Sequence, residues 1–125
     1  MANEHRVLLL GAGKIGRMIT RLLVDSGDYD VLVGDASPDA LKRIEDSFGV
    51  QTVEVDVSQP RQLGRALADR ETVLSALSYY HNPAVAAAAL ECGASYFDLT
   101  EDVETTRSVQ EIAAKAKSGQ VFMPQ

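Results

Sequence analysis

The chain has little of several things, and each shortage excludes something. Among its 125 residues there is one cysteine, Cys92, and no tryptophan. A lone thiol permits no internal disulfide and no thiolate metal site, and it fits a reducing compartment. Two histidines, His5 and His81, are too few for a metal site, and no carboxylate stands at helical ligand spacing from either. Basic residues are also scarce: 12 Lys and Arg stand against 18 Asp and Glu, a formal net charge of −6. Binding to nucleic acid draws on a basic stripe that displaces counterions, and none is present. The same acidic balance opposes anionic lipid surfaces. No apolar run nears the ~20 residues of a membrane span, and the first residues, MANEHR, lack the apolar core of a signal peptide. The expectation is a cytoplasmic domain that binds neither nucleic acid nor membrane.

What is present is a regular alternation of two patterns. Hydrophobic residues make up 46% of the chain, enough for one packed domain over residues 1–125. Arg6–Leu10 (RVLLL) is an apolar run of strand length without alternation, as in a strand buried on both faces. The period then changes. Ile15, Met18, Ile19, Leu22 and Leu23 fall on one face of a helix that Gly27 should end. Asp30–Ala36 reads as a second strand. A helix follows, with Ser37 as cap, Pro38 first, Leu41, Ile44 and Phe48 inward, and Gly49 at its close. Val50–Val57 is a third strand. A short helix capped by Ser58 turns Leu63, Ala66 and Leu67 inward, and Gly64 weakens it by roughly 1 kcal/mol relative to Ala. Glu71–Leu77 is a fourth strand, followed by an Ala-rich helix with Asn82 as cap, Pro83 and a final Gly93. Ala94–Thr100 is a fifth strand. Thr100 caps the next helix, Glu101 and Asp102 match its positive end, Lys115 and Lys117 its negative end, and Val109, Ile112, Ala113 and Ala116 its buried face. A sixth strand begins at QVFMP.

Strict β-α alternation calls for a parallel sheet with helices on both faces. Right-handed crossovers and six strands predict the doubly wound α/β fold, three layers with strand order 3-2-1-4-5-6.

The segment GAGKIG carries the chemistry. Gly11, Gly13 and Gly16 stand at G-x-G-x-x-G spacing between a strand and a helix, the context that a dinucleotide-binding loop requires. Gly11 permits the turn, Gly13 lets a pyrophosphate approach the backbone, and Gly16 lets the helix pack close. Amides around Lys14 and Ile15 then face phosphate oxygens at a helix N-terminus. The same glycines can also serve a tight turn with no ligand. A Walker-type site is excluded, because the run lacks G-K-[ST]. An acid is expected at the end of the second strand, and Asp35 stands there, 24 residues after Gly11. Its carboxylate would accept the ribose hydroxyls. A 2′-phosphate would meet like charge there, and the next residues, Ala36 and Ser37, supply no arginine. NAD is therefore favoured over NADP. Asp56 and Val57, ending the third strand, could border the adenine. Ala76, Leu77 and Ser78, ending the fourth, should pass the pyrophosphate and nicotinamide ribose.

The stretch LSALSYYHNPAVAAAALECGASYFDLTED is more specific. Ser75-Ala76-Leu77, Tyr79-Tyr80, Asn82, Ala86–Ala89, Gly93, Tyr96, Asp98 and Leu99 resemble the pattern of the saccharopine dehydrogenase-like family, which includes lysine dehydrogenases and carboxynorspermidine synthases. Ser78 departs from it, standing where many members have proline. The resemblance implies a Rossmann cofactor domain of an oxidoreductase acting on an amino-acid-like amine or imine. It also implies a substrate domain elsewhere, so the chain reads as the N-terminal part of a longer protein that could dimerise. A regulatory NAD-sensing module and a scaffold without ligand are the competing functions.

No catalytic residue is assigned. His81 lies past the fourth strand and could act as an acid or base, though a loop imidazole beside a helix cap accounts for it as well. Tyr79 and Tyr80 could border substrate or cofactor. Asp98 and Thr100 end the fifth strand, where a substrate contact competes with capping. Cys92 reads as a small packed residue. A Tyr-x-x-x-Lys pair is absent at Tyr79 and at Tyr96, where Pro83 and Thr100 take the lysine's place.

Overall fold

A computed structural model of the chain describes residues 4–99, 102–117 and 119–124. The strands are β1 (His5–Leu10), β2 (Tyr29–Asp35), β3 (Gln51–Glu54), β4 (Thr72–Ser75), β5 (Ser95–Asp98) and β6 (Phe122–Met123). The helices are α1 (Lys14–Ser26), α2 (Pro38–Phe48), α3 (Pro60–Leu67), α4 (Asn82–Cys92) and α5 (Val103–Ala113), with a 3-10 turn at Tyr79–His81. All pairings are parallel and the order is β3-β2-β1-β4-β5-β6. This is the doubly wound, three-layer α/β fold.

Register separates the two faces. Leu8, Leu32, Val73, Tyr96 and Phe122 share one row across the sheet and join the core beneath α3, α4 and α5, with Leu63, Leu67, Val85, Ala89 and Val109. The neighbouring row, Val33, Leu9, Leu74, Phe97 and Met123, points the other way. There Leu9, Val31, Val33, Leu41 and Ile44 form a second cluster with α1 and α2. Parallel strands buried on both faces need such unbroken apolar runs.

Several local expectations are corrected. Only the Ile19–Leu23 edge of the apolar stripe on α1 meets the core: Ile15, Met18 and Leu22 are 49%, 54% and 63% exposed. Gly16 and Thr20 are the buried residues, with Ile19 and Leu23 packed at the cluster's margin. The small pair wins because the Gly-rich loop draws the helix too near the sheet for larger side chains. Thr20 satisfies its buried hydroxyl by donating to Gly16 O, 2.7 Å away. Strands β3, β4 and β5 are shorter than their apolar runs, since ladder pairing ends at Asp35↔Glu54 and Ser75↔Asp98.

The caps divide. Ser37 accepts from the Ala40 amide as expected, and Gly27, Gly49 and Gly93 end their helices in left-handed geometry. Ser58 caps nothing: its hydroxyl donates to Asp56 Oδ1 at 2.6 Å, and Gln59 occupies the cap position of α3. Asn82 is not a cap either. It is the first residue of α4, buried, and its Oδ1 accepts from Ser75 Oγ at 2.7 Å, tying helix to strand. Asp102 caps α5 by accepting from the Thr105 amide at 2.9 Å, which holds its carboxyl below the usual range. The expected roles of Thr100 and Glu101 lie outside the described residues. Lys115, Ala116 and Lys117 follow the end of α5 rather than forming its last turn. Cys92 is exposed rather than packed.

Candidate dinucleotide site

The site is built where β1 and β4 part, at the point where the strand order reverses. Gly11 leaves β1 with φ +112°, and a Cβ on it would stand 2.9 Å from the Ala76 carbonyl oxygen. The turn therefore needs glycine twice over, for its dihedral and for its closeness to the end of β4. A Cβ on Gly16 would lie 1.8 Å from the Gly11 carbonyl oxygen. That contact sets how near α1 sits to the loop. Gly13 differs. Its φ is −77°, and a Cβ there would meet nothing within 4 Å. No contact among the described residues requires a glycine at this position. Its bareness leaves space in front of the loop, which is what a phosphate group needs.

Gly13 is also the cap residue of α1 and offers no side chain to the first helical amides. The N–H groups of Lys14 and Ile15 belong to that unsatisfied first turn, where the helix dipole favours an anion. The loop thus has the donors and the room to hold a pyrophosphate.

Asp35 ends β2 half-buried, beside the loop. Its Oδ2 accepts from the Ala12 amide at 2.7 Å and its Oδ1 from the Ser37 amide at 2.8 Å. Ser37 also caps α2, and Ala36 between them is exposed. The Gly11 amide donates to Gly34 O and the Ala76 amide to Leu10 O. The ends of β1, β2 and β4 are therefore knotted together by backbone and by one carboxylate.

The more distant expectations disperse. Asp56 is exposed, and it accepts from both the amide and the hydroxyl of Ser58, which lower its pKa. Val57 and Leu77 pack against the core beneath α3 and α4. Ser78 is exposed and precedes the 3-10 turn. In that turn Tyr79 and Tyr80 are exposed and meet edge to face, and the Tyr80 and His81 rings lie 4.2 Å apart. Asp98 is not presented to a substrate. It is 4% exposed and accepts from the Tyr96 phenol at 2.5 Å, while Tyr96 is wholly buried and stacks on Phe122. Burial, and then the Asp98 carboxylate, push the Tyr96 pKa far up. Tyr96 and Asp98 thus fasten β5 into the core. Among the described residues no group of three or more His, Cys, Asp or Glu could hold a metal, and no helix is long and apolar enough to cross a membrane.

Sequence reasoning missed the basic side chains around the loop. Lys14, Arg17 and Arg43 line a hollow of about 290 Å³ with Ala12, Gly13 and Ile44. Arg43 is eight residues beyond Asp35 and joins them only because α2 folds back beside α1.

The family model described as the saccharopine dehydrogenase NADP binding domain matches residues 7–123. Among solved structures, the apo saccharopine dehydrogenase (L-Glu forming) of Saccharomyces cerevisiae superposes with a TM-score of 0.85 at 22% identity, over 96% of this chain and 26% of that one. Scyllo-inositol dehydrogenase from Lactobacillus casei, with bound NAD(H) and scyllo-inositol, gives 0.78 at 17%, over 97% and 36%. The TrkA-N domain of the Escherichia coli inner membrane protein ybaL gives 0.76 at 17%, over 97% and 85%. At these identities the structural likeness is one of fold. The chain spans about a quarter to a little over a third of the two dehydrogenases. It belongs to the saccharopine dehydrogenase NADP-binding domain family, whose Rossmann domain binds a nicotinamide dinucleotide.

Proposed function

From that membership we propose that this chain is the cofactor-binding part of an oxidoreductase acting on an amino-acid-like amine or imine, with NAD ahead of NADP. The observation that carries the reading is Gly13. No contact among the described residues calls for a glycine there, and it is the cap residue of α1, next to the helix's first amides. Lys14 and Ile15 amides would hold the pyrophosphate, and Asp35 would accept the ribose hydroxyls. Ala76 and Ser78 would flank the nicotinamide ribose. Once bound, the nicotinamide supplies hydride acceptance or donation. This chain's residues would bind and orient it, and the substrate would be met by residues of a further domain.

Calorimetric titration with NADH and NADPH tests the reading. Gly13→Val should abolish binding while circular dichroism and melting stay close to wild type, because the new side chain enters ligand space and not protein. Unchanged affinity would remove the loop from the site. Tighter binding of NADPH than of NADH would overturn the role given to Asp35.

A second reading, a nucleotide-sensing module, draws support from the ybaL domain, whose own chain is covered over 85% of its length. The family match over residues 7–123 favours the oxidoreductase reading over it. Binding of neither dinucleotide at millimolar concentration would favour a scaffold without ligand.

A further inference from the structure

Helix α1 spends its small residues on the sheet and leaves large ones in water. Ile15, Met18 and Leu22 are each about half exposed or more. They stand at i, i+3 and i+7, so they form one continuous strip along the helix. The strip is separate from the side that meets α2, where Arg17 and Arg21 lie over Phe48. The three side chains present roughly 300 Å² of apolar surface, the size at which a patch on a monomer is often functional. The charges of α1 are as unusual as its strip. A helix favours acids in its first turn and bases in its last. Here the first turn holds no acid and the last turn no base. Lys14 opens the helix and Asp25 stands next to its final residue. Both are exposed, and among the described residues neither makes an ion pair. Each is set against the dipole with nothing in its own fold to offset the cost.

A surface with a cation at one end, an acid at the other and an apolar strip between is complementary to itself when reversed. Lys14 and Asp25 are 11 residues apart (25 − 14), about three turns of helix, on a row that passes through Met18. We infer that this strip is the contact for a second copy of the same chain, with the two α1 helices antiparallel about a two-fold axis. That symmetry makes the interface isologous. It sets Lys14 of each copy beside Asp25 of the other and Met18 of each against Leu22 of the other, with Ile15 towards the outer ends. Each helix then receives an acid at its positive end and a cation at its negative end, as its dipole favours. The cofactor reading uses only the amides of Lys14 and Ile15, so their side chains are free for this contact. The area falls well short of the ~800 Å² per partner of a stable interface. The pairing is therefore weak: absent at the few micromolar of an unfolding experiment and populated as the concentration rises.

Sedimentation equilibrium of the chain tests this, over concentrations up to about 1 mM, the range of a contact this small. A reductant is present throughout because Cys92 is exposed. The wild-type average mass should climb towards twice that of the monomer. Met18→Glu, which brings two carboxylates close to the axis, should hold the mass at that of the monomer. Circular dichroism should show it folded, since the side chain it replaces is exposed. Asp25→Lys sets cation against cation twice over and should weaken the pairing about fivefold, the scale of two exposed ion pairs reversed in sign. Lys14→Glu should do the same. The double variant Lys14→Glu/Asp25→Lys, which restores opposite charges across the axis, should recover most of the loss. A wild-type chain that stays monomeric to 1 mM overturns the inference. So does association that ignores Met18→Glu, or a double variant no better than its singles, since either result places the contact on another face.

Discussion

Across the row Val73, Tyr96 and Phe122, side chains enter a core closed by α3, α4 and α5. One residue along, Leu74, Phe97 and Met123 point to the opposite face, where α1 and α2 pack chiefly on β1, β2 and β3. Arg17 and Arg21 lie over Phe48, so that flank of α1 faces α2. Ile15 and Leu22 stand on its other flank and are exposed. The comparison separates two duties. The closed face carries cohesion, including the buried polar pairs Ser75–Asn82 and Tyr96–Asp98. The open face carries the loop, its basic hollow and an apolar helix surface that contributes little to the fold of this chain.

Substitutions can break or sharpen that contrast. Leu63→Ala, on the closed face and 1% exposed, should cost about 2–5 kcal/mol in urea unfolding. Gly16→Ala should cost about 3 kcal/mol, since the new methyl meets a backbone carbonyl that cannot swing aside; unlike Gly13→Val, it should lower the melting temperature and the cofactor affinity together. Tyr96→Phe should cost about 1–3 kcal/mol by leaving the buried Asp98 one donor short. It carries a pH signature as well. The folded-state pKa of Tyr96 is raised above its ordinary 10.0, so its contribution is full below that value and is lost as the pH climbs past it. Wild type should therefore lose stability in alkali more steeply than Tyr96→Phe. Leu22→Gln, on the open flank, should change stability by no more than about 0.5 kcal/mol. A cost near that of Leu63→Ala would mean that the flank is covered in solution, and the contrast between the faces would fail.

The fold was legible because its signals are local and repeated. Apolar runs of strand length, helix-stopping glycines and Pro38 or Pro83 at helix starts each fix an element without reference to the others. The face of α1 was misread for a reason of a different kind. Its large apolar residues follow the helical period, but the sheet takes the flank with Gly16 and Thr20, and only the loop's tight turn dictates that. Cap assignments at Ser58 and Asn82 failed similarly, because each side chain found a tertiary or turn partner stronger than the helix end. In the candidate site, Gly11, Gly13, Gly16 and Asp35 share one short stretch of chain, and their spacing alone nominates them. Spacing does not nominate Arg43, since its closeness to Lys14 arises from the packing of α2 beside α1.

The Asp35 carboxylate, bonded at once to the Ala12 and Ser37 amides, works as a clasp between the loop after β1 and the loop after β2. Loops left free would have to be ordered by an arriving ligand, at a cost in entropy drawn from its affinity. Here most of that ordering is done when the chain folds. Opening the clasp should show itself less in the resting shape of the molecule than in the entropy of ligand capture.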